Sequence, residues 1–252
     1  MKFHLQTWPE LDYARKDNTY LVIFPLGTVE QHGYHLPVGT DMIILESILQ
    51  ITLEKSRESE KILVLPTLPY GFSYHHLAFP GTLSLSPETL EKVLTTLAKQ
   101  LLSQGFKKLL LISWHGGHTS IMHDVCYELK KDFPERQIYY LSIIDSVFDK
   151  IKNIVTEPVY HADDLETSIM LALGQRVLLN KLAKDGNIEF LSGYGYLDFK
   201  KFSRVKIPVN VAEFSKSGVI GDPTSSSAEK GKILLEIISD ELAKIFDKIV
   251  ES

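Results

Sequence analysis

Four times along this chain a short apolar run gives way to a loop and then, in most cases, to a stretch with helical spacing. The runs are TYLVIFPLG (Thr19–Gly27), KILVLPTLPYG (Lys61–Gly71), KKLLLISWHGG (Lys107–Gly117) and RQIYYLSII (Arg136–Ile144). Each is rich in branched or aromatic residues and bounded by glycine, proline or charge, as a buried strand is. The segments between them read as helices. From Asp41 to Glu54, the residues Ile43, Ile44, Ile48 and Leu53 fall near helical spacing, with Asp41 as a candidate N-cap. Ser86-Pro87-Glu88 opens a helix that stops at Gly105, and Thr119–Phe133 forms the next. Beyond the fourth run the pattern is less regular, although Leu165–Gly174 and the long amphipathic Ala228–Val250 are helical. Strands alternating with helices imply an α/β fold, a mostly parallel sheet covered on both faces in three α/β/α layers. No internal repeat or linker-like shift in composition divides the chain, so residues 1–252 are expected to form one domain.

Composition excludes several classes. The formal net charge is -5 and the lysines and arginines are scattered, which leaves no basic surface for nucleic acid. Cys126 is the only cysteine, so no intrachain disulfide forms. The first twenty residues lack the apolar core of a signal peptide, and no apolar run reaches the roughly 20 residues that span a bilayer. A soluble cytoplasmic protein with a small-molecule partner, and neither nucleic acid nor membrane, is expected.

In an open parallel sheet, ligands bind beyond the carboxyl ends of the strands. The loops there are EQHGYHLPVGTD, YGFSYHHLAFPGT and SWHGGHTS, and with the helix that follows them they hold seven of the nine histidines: His32, His35, His75, His76, His115, His118 and His123. Residues two apart on an extended chain point the same way, so Glu30 and His32 face one pocket while Gln31 faces elsewhere. Asp41 returns to that region, and its two oxygens suit it to bridge two cations about 3.5–4 Å apart. His115 arrives from the third strand, followed by Gly116 and Gly117. Carboxylate oxygen mixed with imidazole nitrogen favours zinc, manganese or iron, one or two ions per chain. Simpler readings stand beside these. Asp41 serves equally as a helix cap, His35 as a loop-holding hydrogen-bond donor, and His123 as a core or surface residue. His75 and His76 are adjacent, so on an extended strand only one of them is expected to enter the site.

Together these residues resemble the creatininase family of metal-dependent amidohydrolases. The blocks that carry the resemblance are EQHGYHLPVGTD, FPGT (Phe79–Thr82), SWHGG (Ser113–Gly117), HADDLETS (His161–Ser168) and GDPT (Gly221–Thr224), in that order. The resemblance implies a creatininase-like fold in which Glu30, Asp41 and His115 hold one divalent metal, while His32 and the bridging Asp41 hold a second. Creatininase completes its second site with a glutamate two residues after the block's histidine. Gly117 stands there in this chain, which makes Glu166 the natural replacement, with His118 and water as the others. Glu166 also reads as an acid placed at a helix N-terminus by the helix dipole.

The implied chemistry is attack of a metal-activated water on an amide-type carbonyl. His161 would be the proton shuttle to the leaving nitrogen, or else a helix cap. Glu166 shares in catalysis, and the backbone amides of Gly116 and Gly117, with His35 and His118, contact substrate. The expected substrate is a small amide, cyclic amide or formamide rather than an ordinary peptide. Where creatininase packs tryptophans around its ring this chain has Ile144 and Glu157, so creatinine itself is not expected. A ribosylaminopyrimidine-phosphate deformylase and a peptidase trimming a redox-cofactor precursor are other branches of the family. The family also implies a closed homo-oligomer, the hexamer included.

Other enzyme classes leave no trace. The chain has neither the G-x-S-x-G of a serine hydrolase nor the G-x-x-x-x-G-K-[ST] of a phosphate-loop NTPase. The competing reading from outside enzymology is a non-catalytic metal- or ligand-binding protein on the same scaffold, which Gly117 in place of a ligand favours.

Overall fold

The structure is a computed structural model describing residues 1–252. Four strands, β1 (Leu21–Leu26), β2 (Ile62–Val64), β3 (Lys108–Ser113) and β4 (Gln137–Ser142), form a parallel sheet in the order β2-β1-β3-β4. Seven α-helices surround it: α1 (Trp8–Lys16), α2 (Thr40–Lys55), α3 (Pro87–Gln104), α4 (Thr119–Asp132), α5 (Ile143–Ile151), α6 (Asp164–Ala172) and α7 (Ala228–Glu251). A two-stranded antiparallel ribbon, β5 (Glu189–Phe190) and β6 (Gly195–Tyr196), lies in the irregular stretch before α7. No helix is long and apolar enough to cross a membrane.

The strands are apolar throughout because both faces of the sheet are covered. Leu21 and Ile23 of β1, with Leu110 and Ile112 of β3, pack against α2, α5, α6 and α7. Their neighbours Val22, Phe24, Leu26, Leu109 and Leu111 point the other way, onto α3 and α4. This is the period-two alternation of an extended chain, and it produces one core on each side of the sheet.

Several element ends depart from the sequence expectation, each for a local reason. Helix α2 begins at Thr40 with Gly39 as its cap, so Asp41 is not the N-cap; its carboxylate accepts instead from the Thr28 hydroxyl. The second run pairs regularly only over Ile62–Val64, since Pro66 and Pro69 remove ladder donors beyond it. Ile143 and Ile144 are helical rather than extended, because the Ser142 hydroxyl accepts from Asp145 N and starts α5. At α3 the cap expected at Ser86 is present, and Gly105 closes the helix at a φ of 113°.

Register positions the site. Leu26 pairs with Ser113 at the carboxyl ends of the two central strands, so the loop bearing Glu30 and the turn bearing His115 leave the sheet side by side. Helix α6 is pinned to α7 at Gly231, where a Cβ would lie 1.9 Å from the Ser168 carbonyl oxygen. Only glycine allows that approach, and the approach sets how far α6 reaches towards the strand ends.

Candidate metal centre

Beyond β1 the chain makes single bridges at Val29 and His32, and the Glu30 and His32 side chains are both buried. Glu30 is fully buried, and neither of its carboxylate oxygens has a hydrogen-bond partner. His115 Nε2 lies 3.5 Å from Glu30 Oε2, and His161 Nδ1 lies 3.6 Å from Oε1. His76 Nε2 approaches Oε1 at 3.2 Å, off the line of a hydrogen bond. On the other side, His32 Nε2 lies 3.6 Å from Asp41 Oδ2 and 3.7 Å from Glu166 Oε2. Asp41 Oδ2 is also 3.9 Å from His115 Nδ1, so Asp41 stands between two imidazoles.

The surrounding hydrogen bonds decide which nitrogens carry protons. His32 Nδ1 is 3.0 Å from the Glu30 carbonyl, which can only accept, so Nδ1 holds the proton and Nε2 presents a lone pair. His161 Nε2 donates to the Gln31 carbonyl at 2.8 Å, which leaves its Nδ1 bare towards Glu30. Gln31 Oε1 accepts from Gly33 N at 2.8 Å, which orients the amide so that Nε2 donates to His76 Nδ1 at 2.7 Å. Thus a neutral His32 would turn the lone pair of Nε2 towards Asp41 Oδ2 and Glu166 Oε2, a buried arrangement that a proton or a cation at Nε2 relieves.

The charges respond accordingly. Burial pushes Glu30 up to about 7. Burial would lower His32, yet the facing Asp41 and Glu166 carboxylates hold it well above its ordinary value. Burial likewise raises Asp41 and Glu166, and the His32 ring reverses both, leaving them below the usual carboxylate range. His161 is lowered to about 3, first by burial and then by the neighbouring His32.

Three overlapping sets of side chains could each hold a cation: His32, Asp41 and Glu166; Glu30, His32 and His161; and Glu30, His75 and His115. All the expected ligands, Glu30, His32, Asp41, His115 and Glu166, therefore lie in one buried cluster. Glu166 is held in place, accepting from Trp114 Nε1 at 2.9 Å and from Ala162 N at 2.7 Å. The orphaned Glu30 oxygens and His32 Nε2 fit a divalent ion, and nothing in the protein satisfies them otherwise.

Two candidates fall outside the cluster. His118 receives Phe72 N on Nε2 at 3.1 Å and meets the Ser113 hydroxyl with Nδ1 at 2.8 Å, so neither nitrogen is free for metal or substrate. The side chain of His35 turns back to Thr167 Oγ1 at 2.9 Å and does not line the cavity. His75 and His76 require the opposite correction, because both face the site. They lie in a 3-10 turn, Tyr74–His76, where successive side chains diverge by roughly 120° instead of the 180° of a strand. At Gly117 a Cβ would sit 2.4 Å from His115 Nε2 and 3.0 Å from His75 Cε1, so these rings occupy the space that a larger residue would need.

Above the cluster opens a cavity of about 570 Å³, lined at its base by Asp41, His115, His161, Glu166, Gly116 and Gly117. Phe72, Trp114, Tyr160 and Phe199 line its walls.

A family model described as creatinine amidohydrolase matches residues 4–246. The chain belongs to the creatininase family. Among curated relatives, a 3-dehydro-scyllo-inosose hydrolase of Thermotoga maritima is 27% identical over 248 residues, 92% of this chain and 78% of that one. A mycofactocin precursor peptide peptidase of Mycolicibacterium smegmatis is 26% identical over 222 residues, 87% of this chain and 81% of the relative. The crystal structure of creatininase superposes with a TM-score of 0.82 at 24% identity, covering 98% of this chain and 96% of that one, and establishes the shared fold. Creatininase is also known in a Zn–Zn and a Mn form. As a creatininase-family amidohydrolase the chain is a hydrolase, and its relatives differ in what they act on.

Proposed function

We propose that this protein is a divalent-metal hydrolase that breaks a C–N bond in a small amide, cyclic amide or formamide rather than an ordinary peptide bond. The observation that carries the reading is the buried convergence of His32 Nε2, Asp41 Oδ2 and Glu166 Oε2, 3.6 and 3.7 Å apart across the imidazole nitrogen, beside a Glu30 whose two carboxylate oxygens have no hydrogen-bond partner. Glu30, His32, Asp41, His115 and Glu166 would hold one or two ions of zinc, manganese or iron. Bound there, such an ion supplies Lewis acidity, which polarises a carbonyl and acidifies water at neutral pH.

The chain's own residues provide the rest. Trp114 and Ala162 fix both oxygens of Glu166, so this carboxylate is oriented before anything binds. His161 Nδ1 is the open imidazole atom at the cavity base, since Nε2 is committed to the Gln31 carbonyl. Kept neutral by burial, His161 takes a proton before it delivers one to a departing nitrogen. Gly116 and Gly117 bring bare backbone against the cavity, within reach of a carbonyl oxygen.

Elemental analysis of the purified protein and of Glu166→Ala, paired with amine or formate release from N-acyl and N-formyl amides, tests the proposal. Metal in the wild type, a lower content in the variant and metal-dependent release are the expected results. Metal bound without any release would instead favour a binding protein on this scaffold. Wild-type protein that takes up no divalent ion after reconstitution would overturn the proposal.

A further inference from the structure

Four hydrogen bonds in series join the end of the sheet to His115, and each has its direction fixed by a group that acts in one way only. Phe72 N can only donate, so His118 Nε2, 3.1 Å away, receives it on a lone pair. The proton of the neutral His118 ring is therefore on Nδ1, which donates to Ser113 Oγ at 2.8 Å. Ser113 Oγ also accepts from His115 N at 3.1 Å, and its own proton goes to the Leu26 carbonyl at 3.0 Å. Every donor and acceptor in this stretch is used.

At its far end the series reaches an expected ligand. The Phe72 carbonyl lies 3.0 Å from His115 Nε2 and can only accept, so a neutral His115 carries its proton on Nε2. His115 Nδ1 is left with the lone pair, and it is the atom that lies 3.9 Å from Asp41 Oδ2. The Phe72 backbone is clamped on both sides of this carbonyl. His118 holds the Phe72 N–H, and Ser73 N donates to Ser84 Oγ at 2.7 Å.

Glycines make the room. At Gly71 a Cβ would lie 2.0 Å from His118 Nε2 and 2.8 Å from the Gly27 carbonyl oxygen, and at Gly117 it would lie 2.4 Å from His115 Nε2. Any side chain at either position would displace one of the two rings. His118 itself is completely buried and does not line the cavity.

Resting on the metal-centre reading above, we propose that His118 is a positioning residue: by holding the Phe72 backbone it keeps the His115 proton on Nε2 and makes Nδ1 the atom that His115 offers to a cation beside Asp41. A ligand imidazole whose second nitrogen donates to a fixed carbonyl has one tautomer and one ring orientation. Without the anchor both tautomers are populated, and the wrong one puts a hydrogen where the ion should bind. His118 supports a ligand instead of being one.

Proton–nitrogen correlation spectra of the full-length protein with isotope-labelled histidines test this, before and after titration with zinc. In the metal-free protein His115 should carry its proton on Nε2 and His118 on Nδ1. Zinc should shift the His115 Nδ1 resonance and leave both His118 nitrogens in place. His118→Leu should release His115 into a mixture of tautomers and weaken zinc binding about 10- to 100-fold by calorimetry. His118→Gln, whose side-chain oxygen can accept from Phe72 N, should recover both. A wild-type His115 proton on Nδ1, or zinc on Nε2, overturns the proposal, and neither result requires a folded variant. Weaker zinc binding in His118→Leu with the His115 tautomer unchanged overturns it too, since that effect is purely structural. Wild-type protein that takes up no zinc sinks the metal reading, while the metal-free tautomers still decide whether His118 sets the His115 proton.

Discussion

Trp114 Nε1 donates to Glu166 Oε1 over 2.9 Å, joining the end of β3 to the first turn of α6 inside the protein. Trp114 is completely buried, so its indole is both part of the core and the only side chain that hydrogen-bonds this carboxylate oxygen. The bond couples packing to chemistry, because Glu166 Oε2 is the atom that faces His32 at 3.7 Å.

Trp114→Phe should therefore do two things. Loss of a hydrogen bond to a charged group, plus the void left by the smaller ring, should cost about 2–4 kcal/mol in a denaturant titration. Metal affinity should fall about 10- to 100-fold, as for other residues that orient a ligand from behind. Unchanged metal affinity in a folded variant would separate Glu166 from the metal.

Glu30→Gln should stabilise the metal-free protein. The buried carboxylate has no hydrogen-bond partner, and burial raises it to about 7. A raised acid loses the folded state stability as pH climbs from the unfolded value through the folded one. The gain from the amide should thus be small near pH 4 and reach about 1–3 kcal/mol at pH 8. Added zinc or manganese should raise the melting temperature of the wild type and much less that of the variant. A metal-free variant less stable than wild type at pH 8 would contradict the account.

Gly231→Ala should act on the site from a distance. Its Cβ would meet the Ser168 carbonyl oxygen at 1.9 Å and Ala172 Cβ at 2.7 Å, forcing α6 and α7 apart. A loss of about 1–3 kcal/mol is expected, together with weaker metal binding because α6 carries Glu166. Gly116→Ala, whose nearest neighbour is 3.9 Å away, is the matched control and should leave thermal stability nearly unchanged.

Asp247 ties α7 to the end of α2, accepting from Ser56 Oγ at 2.6 Å and Arg57 Nε at 3.1 Å. Burial raises its carboxyl, and the Ser56 and Arg57 bonds more than reverse this, leaving it below its ordinary value. A depressed acid contributes stability above its unfolded value and loses it as pH falls through the folded one. Asp247→Asn should cost about 1–2 kcal/mol at pH 7, with the difference shrinking as pH falls below about 4. A penalty that stays constant down to pH 2 would show that the charge is not what matters.

Much of this molecule was legible in one dimension. Apolar runs such as Leu21–Leu26 and Lys108–Ser113, closed by Ser86 and Gly105 at the helix between them, specify local structure through backbone sterics and capping, which depend on near neighbours. The same holds for Glu30 and His32, whose common direction follows from the period of an extended chain. The tertiary structure decided what distant segments do to one another. It turned Asp41 from a helix cap into a partner of Thr28 and His32, brought His75 and His76 into the site together, and withdrew His118 to Ser113 and Phe72. Phe199 belongs to an irregular segment with no periodicity to read, and only the hydrogen bonds of Asp198 to Val159 bring its ring over the cavity. Short-range sterics determine which elements form. Which side chains share a buried space depends on how those elements pack, and there a lone pair with no partner is the mark of a site.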